Sequence, residues 1–341
     1  MVSFIFHVIF VYLQIKEKMS SKNSNSSRDI TWDYARGVAI FMIVLHHFYA
    51  RFYESPEGHA DAFVSLLCDA CQLPIFMYIS GLFAQKSINK YPLSSFIINK
   101  AIRLLLPFTS FLLIWILIKP ENYPTILLDN FKDGYWFTFV LFEIMAVIAC
   151  MNYLAKTSEN KTFCLSAFFF AIITIYKILF PHENIINGLL SVNLLWHYIP
   201  FFIIGFYSHR LSFLLKTKNS PIYLLIFIIS FAFYYHHQAT SLIPVCNLSS
   251  LLFLITIFKN GIRPLEGLVS YIGVYSLEIY LLHFFARLGI TYIPSTDNIV
   301  LELLSNILLS ITAIILSIYL SKLLKRSRLL SLLLFGTKEQ K

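Results

Sequence analysis

The chain has 341 residues, of which 57% are hydrophobic and only 13% are charged, and its mean hydropathy is +0.70. This composition excludes an ordinary soluble globular domain and indicates a polytopic membrane protein. The formal net charge of +9 would suit a nucleic-acid-binding protein, but the placement of the basic residues argues against that class.

The first 29 residues are predicted to form a cytoplasmic or interfacial segment outside the membrane domain. Its apolar run at residues 2–13 is too short to span a bilayer. A secretory signal peptide would have positive charge before the apolar core and a small-residue cleavage site after it, and this segment has neither. The alternative is an upstream extension of a protein that truly starts at Met19.

Residues 30–325 are predicted to form an all-α membrane domain with about ten transmembrane helices. A crossing needs roughly 20 apolar residues. Ten such stretches are centred near Leu45, Phe76, Leu113, Ala146, Ala171, Ile203, Phe227, Leu254, Leu281 and Ile314. The connections are too short to hold a folded domain, and no internal repeat typical of many transporters is evident. Residues 326–341 are the predicted cytoplasmic tail.

The basic residues predict the orientation of these helices. With ten crossings both termini face the same side, and the segments on that side contain 21 of the 27 Lys and Arg residues, against five on the other side. The positive-inside rule therefore places both termini in the cytoplasm. The basic excess is explained by topology, so no nucleic-acid partner is expected.

The first predicted helix contains charged and titratable residues inside an apolar stretch. Arg36 and His47 are eleven residues apart, so they lie within about 20° of one helical face and roughly 16 Å apart along the axis. Asp33 lies one turn before Arg36, whereas His46 points about 100° away from His47. Ionisable groups at this depth usually line a protein interior or a water-filled path, so the stripe predicts a functional cavity. The structural alternative is an isolated Asp33–Arg36 pair with histidines that only join helices.

Two more basic residues are found at the start of the third predicted helix. Lys100 and Arg103 are one turn apart on the predicted cytoplasmic side. Arg binds phosphate oxygens through a bidentate fork and Lys binds them as a point charge. With Arg36 at the same depth, they predict a basic pocket for a phosphate-bearing ligand. The alternative is that they only anchor the helix at the membrane surface.

Later helices contain further ionisable residues. Glu143 is a carboxylate within the fourth helix and needs a partner, for which His47 or an arginine are the candidates. His197, Glu278 and His283 lie at membrane depth or at its edge. Glu278 and His283 are five residues apart and so point to different sides of their helix. At most one of these three is expected to line the same cavity as His47.

The five cysteines do not predict a disulfide or a metal site. Cys68 and Cys71 form a Cys-x-x-Cys within the second span, but a zinc site would need two further ligands and none is evident. Small apolar helix residues are the favoured interpretation. No structural metal and no permanently bound cofactor are expected.

Several motifs in this order resemble those of a known family. They are Asp33-x-x-Arg36-Gly37 followed by His47, Pro74-x-Phe76 with Ser80-Gly81, Lys100-x-x-Arg103 with Pro107, Tyr135-Trp136-Phe137 with Leu141-Phe142, Pro200-Phe201-Phe202 with Gly205, and Tyr280-Leu281-Leu282-His283. Over about residues 30–285 the chain thus resembles the acyltransferase 3 family of bacterial membrane acyltransferases, closest to its fucose 4-O-acetylase-like branch. The family spacing selects His47 rather than His46. Lys100 stands where many members have Arg, which keeps the charge but loses the fork.

The resemblance implies a membrane-bound O-acyltransferase. Its members usually transfer acetyl from acetyl-CoA to a hydroxyl of a cell-envelope carbohydrate, such as an O-antigen, capsule or exopolysaccharide sugar. The implied location is the bacterial cytoplasmic (inner) membrane. The implied partners are acyl-CoA, the carbohydrate acceptor, the lipid bilayer and proteins of polysaccharide biosynthesis.

A transporter or flippase of a lipid-linked sugar is the competing function, because it would also bury Arg, Glu and His along a path. The missing repeat and the cytoplasmic clustering of cations favour the enzyme, since a soluble anionic donor would dock on that side.

The acyl donor is expected to bind from the cytoplasm. Its phosphates would contact Arg36, Lys100 and Arg103, with Asp33 orienting Arg36. Acetyl-CoA is thereby a cosubstrate rather than a resident cofactor.

His47 is the expected catalytic residue. It would act as a general base on the acceptor hydroxyl or as a nucleophile that carries the acyl group, and the sequence does not separate these roles. Glu143 would hold the tautomer of His47 or form a structural pair with another residue.

Overall fold

The fold is all-α in the part of the chain that a computed structural model describes, namely residues 29–50, 59–118, 120, 126–180, 184–288 and 299–337. The α-helices there are α1 (Ile30–Ala50), α2 (His59–Ile88), α3 (Leu93–Ile118), α4 (Trp136–Leu154), α5 (Glu159–Leu179), α6 (Ile185–Leu190), α7 (Val192–Phe206), α8 (Ser220–His237), α9 (Ile243–Lys259), α10 (Glu266–Val274), α11 (Ser276–Leu288), α12 (Ile299–Leu324) and α13 (Arg328–Phe335). The predicted all-α class is confirmed. Residues 1–28 and 338–341, which belong to the predicted N-terminal segment and tail, lie outside the described residues.

Eight helical segments among the described residues are long and apolar enough to cross a membrane. They are α2, α3, α4, α5, α8, α9, α12 and one continuous segment made of α6 and α7. The helices α10 and α11 pass the same test only as a pair, and they are bent by 80° relative to each other. Counting that pair as one broken span gives nine candidate spans among the described residues, so the predicted number of about ten is not confirmed.

The helix α1 is the predicted crossing that is not among these segments. Its 21 residues are long enough, but Asp33, Arg36, His46 and His47 lower its mean hydropathy. It nevertheless lies inside the bundle, since Ile40 is fully buried and α1 packs most extensively against α2 and α10. Among its polar residues Asp33 is buried, and Arg36, His46 and His47 are half-buried, as is usual for ionisable groups in a membrane bundle.

The helix bundle has two ends, which we define by the connections found there. At the basic end, α1 begins, α2 ends and α3 begins. Arg210 donates to Glu159 at this end over 2.6 Å and joins the start of α5 to the segment after α7. At the opposite end, the ammonium of Lys132 donates to the carbonyl oxygen of Gly188 over 2.8 Å and joins the segment before α4 to α6.

Small residues let α2 and α7 approach until their backbones touch. A Cβ atom at Gly81 would overlap the carbonyl oxygen of Phe202, and one at Gly205 would overlap the carbonyl oxygen of Tyr78. Helices in membranes associate mainly through such close packing. This reciprocal contact fixes the register of α2 against α7 and therefore the depth of every polar residue on both helices.

Replacing Gly81 with alanine should destabilise the protein, although alanine is the better helix former. The added Cβ would force the α2 and α7 backbones apart, a type of overpacking that costs about 1–3 kcal/mol. The midpoint of thermal unfolding of the purified protein in detergent should fall. Gly267→Ala is the matched control, because nothing lies within 4 Å of its added Cβ. Equal midpoints for the two variants would contradict the close approach.

Candidate active site

Two histidines from distant parts of the chain meet inside the bundle. Nδ1 of His47 on α1 lies 2.9 Å from Nε2 of His283 on α11. The two rings are stacked, with centroids 5.0 Å apart and an interplanar angle of 25°. His283 is 1% exposed, and the ring of Phe284 lies 4.2 Å from it and 4.8 Å from the His47 ring. We call His47 and His283 the histidine dyad.

The hydrogen bonds of His283 assign the tautomers of both rings. Its Nδ1 lies 3.0 Å from the carbonyl oxygen of Ile279 and 2.8 Å from that of Tyr280. Carbonyl oxygens only accept, so Nδ1 of a neutral His283 carries the proton and its Nε2 accepts. The donor to His283 is then Nδ1–H of His47, which leaves the lone pair of His47 at Nε2. An imidazole held in this way, with one nitrogen oriented by a partner, can take a proton at the other nitrogen.

A turn with left-handed backbone geometry supports the dyad from the opposite end of the bundle. Residues 132–134 all have positive φ, and for Gly134 φ is +93°. The carbonyl oxygen of Gly134 accepts a hydrogen bond from Tyr280 Oη over 2.8 Å. A Cβ at Gly134 would overlap the ring of Phe284. Glycine is required here because of both its φ and this contact, and the turn fixes the residues on either side of His283.

Asp33 and Arg36 form the predicted i, i+3 ion pair at the basic end. Arg36 Nη1 lies 3.2 Å from Asp33 Oδ1, and Asp33 is buried. The guanidinium of Arg36 lies 5.3 Å from the ring centroid of Phe83, and the ammonium of Lys86 lies 5.6 Å from the same centroid. The sequence did not single out Lys86, which is a second cation beside Arg36. The sequence feature that could have indicated Lys86 is its position at the end of α2, one turn after Phe83.

Lys100 and Arg103 lie on α3 at the basic end. Lys100 is half-buried with its ammonium 5.3 Å from the Phe96 ring centroid, whereas Arg103 is exposed. Gly336, which follows α13, packs directly against the backbone of Ile102 and Arg103. The two predicted phosphate ligands are therefore on the same end of the bundle as Arg36, and their role in donor binding stays a prediction.

Glu143 lies half-buried on α4, where the charge of Lys132 acts on it. Burial lowers the pKa of the Lys132 ammonium, while the carboxylates of Glu143 and Asp129 act in the opposite direction. The contact that orients Nδ1 of His47 comes instead from His283. Glu143 Oε2 has no hydrogen-bond partner among the described residues, and both roles of Glu143 stay predictions.

The three later ionisable residues have separate environments. His283 is the one that reaches His47. Glu278 forms an ion pair with Lys325 just after α12, towards the basic end. His197 contacts Asn247, with 2.9 Å between His197 Nε2 and Asn247 Nδ2. These contacts show that His283 touches His47, and the expectation that at most one of the three lines the same cavity as His47 stays a prediction.

A protein-family model described as an acyltransferase domain matches residues 29–325, which is most of the chain. The chain belongs to the acyltransferase 3 family. Acyltransferase 3 membership supports a membrane acyltransferase, in agreement with the apolar helices. The match does not distinguish the fucose 4-O-acetylase-like branch. No curated protein and no solved structure matches this acyltransferase 3 chain.

The cysteines of this acyltransferase 3 protein are all free, including the buried pair Cys68 and Cys71. Among the described residues there is no group of three or more His, Cys, Asp or Glu that could hold a metal ion.

Proposed function

We propose that this protein is a membrane-bound O-acyltransferase that transfers acetyl from acetyl-CoA to a hydroxyl of a cell-envelope carbohydrate. The observation that carries the proposal is the hydrogen bond between His47 and His283, which presents the Nε2 lone pair of His47 as a base. The family match supports acyl transfer and gives no support to the alternative of a lipid-linked-sugar transporter.

In the proposed reaction, Nε2 of His47 takes the proton of the acceptor hydroxyl as its oxygen attacks the thioester carbonyl of acetyl-CoA. A C–O bond forms and the C–S bond breaks. The proton then passes from His47 to the CoA thiolate, which leaves as free CoA thiol. General base catalysis of this kind typically contributes about 10² to 10⁴ in rate.

His283 supports this role by fixing the tautomer. Its own Nδ1 proton is held by two backbone carbonyls of α11, so its Nε2 can only accept from His47 when the ring is neutral. When Nε2 of His47 becomes protonated, the same contact stabilises the resulting cation. The lone pair would equally suit attack on the thioester to form an acyl-histidine, with the hydroxyl as second acceptor.

The acyl donor is proposed to bind at the basic end. Arg36, Lys100 and Arg103 supply charge for the CoA phosphates, and Lys86 adds a further cation beside Arg36. Asp33 orients Arg36 through their ion pair. By the positive-inside rule this end faces the cytoplasm of a bacterial inner membrane, where CoA thioesters are found, and both termini lie on that side.

Purified protein supplied with radiolabelled acetyl-CoA tests the function. We expect slow release of free CoA without an acceptor and faster release when a carbohydrate acceptor is added. Labelled protein that resists washing and loses its label when the acceptor is added would assign the acyl-histidine route. No CoA release under either condition, together with sugar accumulation in vesicles, would contradict the proposal in favour of transport.

Replacing Arg103 with alanine should weaken the use of acyl-CoA. Arg103 is exposed on α3 and is expected to contact phosphate rather than the reacting atoms. Its loss should therefore raise the apparent KM for acetyl-CoA more than it lowers kcat. Arg326→Ala is the control, because Arg326 is an exposed arginine after α12 that is not assigned to the donor site. An unchanged KM for acetyl-CoA in Arg103→Ala would remove Arg103 from that site.

A further inference from the structure

A second group of polar side chains lies within the membrane-spanning helices, apart from the histidine dyad and the basic end. It comprises Asp69 and Gln72 on α2, His197 on α7 and Asn247 on α9, and we call it the polar cluster. Gln72 and Asn247 are each 3% exposed. Neither Gln72 Oε1 nor Asn247 Oδ1 has a hydrogen-bond partner among the described residues. These residues have no role in the proposed acyl-transfer step.

Contacts connect the members of the polar cluster. Gln72 Nε2 lies 3.4 Å from Asp69 Oδ1, and Asn247 Nδ2 lies 2.9 Å from His197 Nε2. The Asp69 carboxylate is close enough to His197 to interact with it electrostatically. The cluster thus consists of two hydrogen-bonded pairs on three helices, with the Asp69 carboxylate acting on His197 through space.

The register of α2, α7 and α9 places these residues at one depth. Counted back along these parallel helices, the Gly205–Tyr78 contact puts His197 level with Ala70 and the Gly81–Phe202 contact puts it level with Phe76. The level of His197 therefore falls between these two residues, close to Gln72 and within about one turn of Asp69. Ser250 on α9 donates to the carbonyl oxygen of Ala70 over 2.7 Å, and Asn247 is one turn from Ser250.

The polar face of α2 contacts α1 at one end and α4 at the other. Ser65, Asp69, Gln72 and Phe76 follow one another at steps of four, three and four residues, which keeps them within about 60° of one face. Ser65 Oγ lies 3.0 Å from Nδ1 of His46, the neighbour of His47. At the other end of this face, the Phe76 ring lies 5.7 Å from that of Phe137 on α4. Asp69 and Gln72 lie between these two contacts and so face the bundle interior.

A second route links the polar cluster to the dyad through α4. Tyr198, next to His197, stacks on Trp136 with ring centroids 5.3 Å apart. The backbone N–H of Phe137 donates to Tyr280 Oη over 3.2 Å, and Tyr280 is one turn before His283 on α11. These contacts place α4 between α7, which contains His197, and α11, which contains His283.

The chemistry of the cluster defines what would bind there. Burying an amide oxygen without a donor costs about 1–3 kcal/mol, and the cluster contains two such oxygens together with a carboxylate that also only accepts when ionised. A ligand that supplies several hydrogen-bond donors would satisfy all three groups. Hydroxyl groups on adjacent carbon atoms are such donors, whereas an apolar acyl chain or a phosphate is not.

We propose that the polar cluster is the subsite for the acyl acceptor and that it recognises a polyhydroxylated ring through hydroxyls other than the one that reacts. This inference rests on the proposed function, because it assumes that an acceptor hydroxyl must reach Nε2 of His47. Gln72 and Asn247 are binding residues in this scheme and take no part in proton transfer.

The test separates acceptor binding from the donor half of the reaction. Gln72→Met and Asn247→Leu remove the unpaired oxygens and nearly keep side-chain volume. Acetyl-CoA hydrolysis without acceptor should stay at the wild-type rate in both variants. With a panel of methyl glycosides as acceptors, the apparent KM for the glycoside should rise roughly tenfold in each variant. Asn306→Leu is the matched control, because Asn306 is a fully buried amide on α12 with unpaired side-chain atoms among the described residues.

Each outcome bears on a different claim. Unchanged glycoside KM in both variants would overturn the subsite, as would acetyl-CoA hydrolysis by the wild-type protein with no acetylation of any glycoside in the panel. An equal rise of KM in Asn306→Leu would also overturn it, since the effect would then reflect any lost buried amide. Failure of the wild-type protein to consume acetyl-CoA would instead contradict the proposed function itself.

Discussion

Replacing His47 with alanine is expected to abolish acyl transfer while leaving the protein in the membrane at its normal level. The variant lacks the Nε2 lone pair that is proposed to accept the hydroxyl proton, so kcat should fall by about 10² to 10⁴. The folded state should persist, because His47 is only half-buried and its neighbours Phe48 and Val44 still pack in the core. The measurement is acetyl transfer to a carbohydrate acceptor per molecule of purified protein.

The neighbouring histidine gives a matched control for this variant. His46 contacts Ser65 on α2 through Nδ1, so it belongs to a contact between helices rather than to the dyad. His46→Gln keeps a hydrogen-bonding side chain at that position and should retain most of the activity. Full activity in His47→Ala, or equal losses in the two variants, would eliminate the catalytic role of His47.

Replacing His283 with phenylalanine is expected to have the second largest effect on turnover. Phenylalanine keeps a ring beside Phe284 but offers no acceptor to Nδ1–H of His47. The imidazole of His47 could then adopt the other tautomer, which places the proton on the nitrogen that should act as base. A catalytic histidine in the wrong tautomer can lose up to about 10⁴ in kcat. The apparent KM for acetyl-CoA should change little, because His283 is a positioning residue away from the basic end.

Rescue by a second substitution distinguishes positioning from packing. His283→Gln provides a side-chain oxygen that can accept from His47 Nδ1–H, and it should recover part of the lost kcat. The pH dependence of kcat should also differ between the phenylalanine and glutamine variants, because only glutamine supplies a partner for His47 as it becomes protonated. If both variants lose activity equally and have the same pH profile, His283 has only a packing role.

The sequence alone was sufficient to predict the membrane class, the polar stripe of α1 and the position of the basic residues on α3. These depend on local properties, namely length, hydropathy and the helical repeat of 3.6 residues. The Asp33–Arg36 pair is of this kind, since its two members are three residues apart on one helix. Hydropathy alone was less reliable for the number of crossings, because the polar residues of α1 and the bend between α10 and α11 both interrupt the apolar pattern.

The partner of His47 could not be predicted, because it depends on how distant helices pack. His283 is 236 residues away from His47, and the sequence offered His197, Glu278 and Glu143 as equally ionisable candidates. The pairing with His283 depends on contacts of the turn before α4. Gly134 in that turn packs against Phe284, and its carbonyl oxygen accepts a hydrogen bond from Tyr280 on α11. The polar cluster was missed for the same reason, since Asp69 and Gln72 on α2 are joined to Asn247 on α9 only in the folded bundle.

Following the acetyl group itself would test directly whether this chain uses His47 to transfer an acyl group to a hydroxyl. Purified protein in lipid nanodiscs would be given deuterated acetyl-CoA and a methyl glycoside, and the products would be identified by mass spectrometry. We expect one deuterated acetyl ester on the glycoside for each CoA released by the wild-type protein, and none above background with His47→Ala. Ester formation at the wild-type rate by His47→Ala, or sugar uptake into vesicles without any release of CoA, would contradict it.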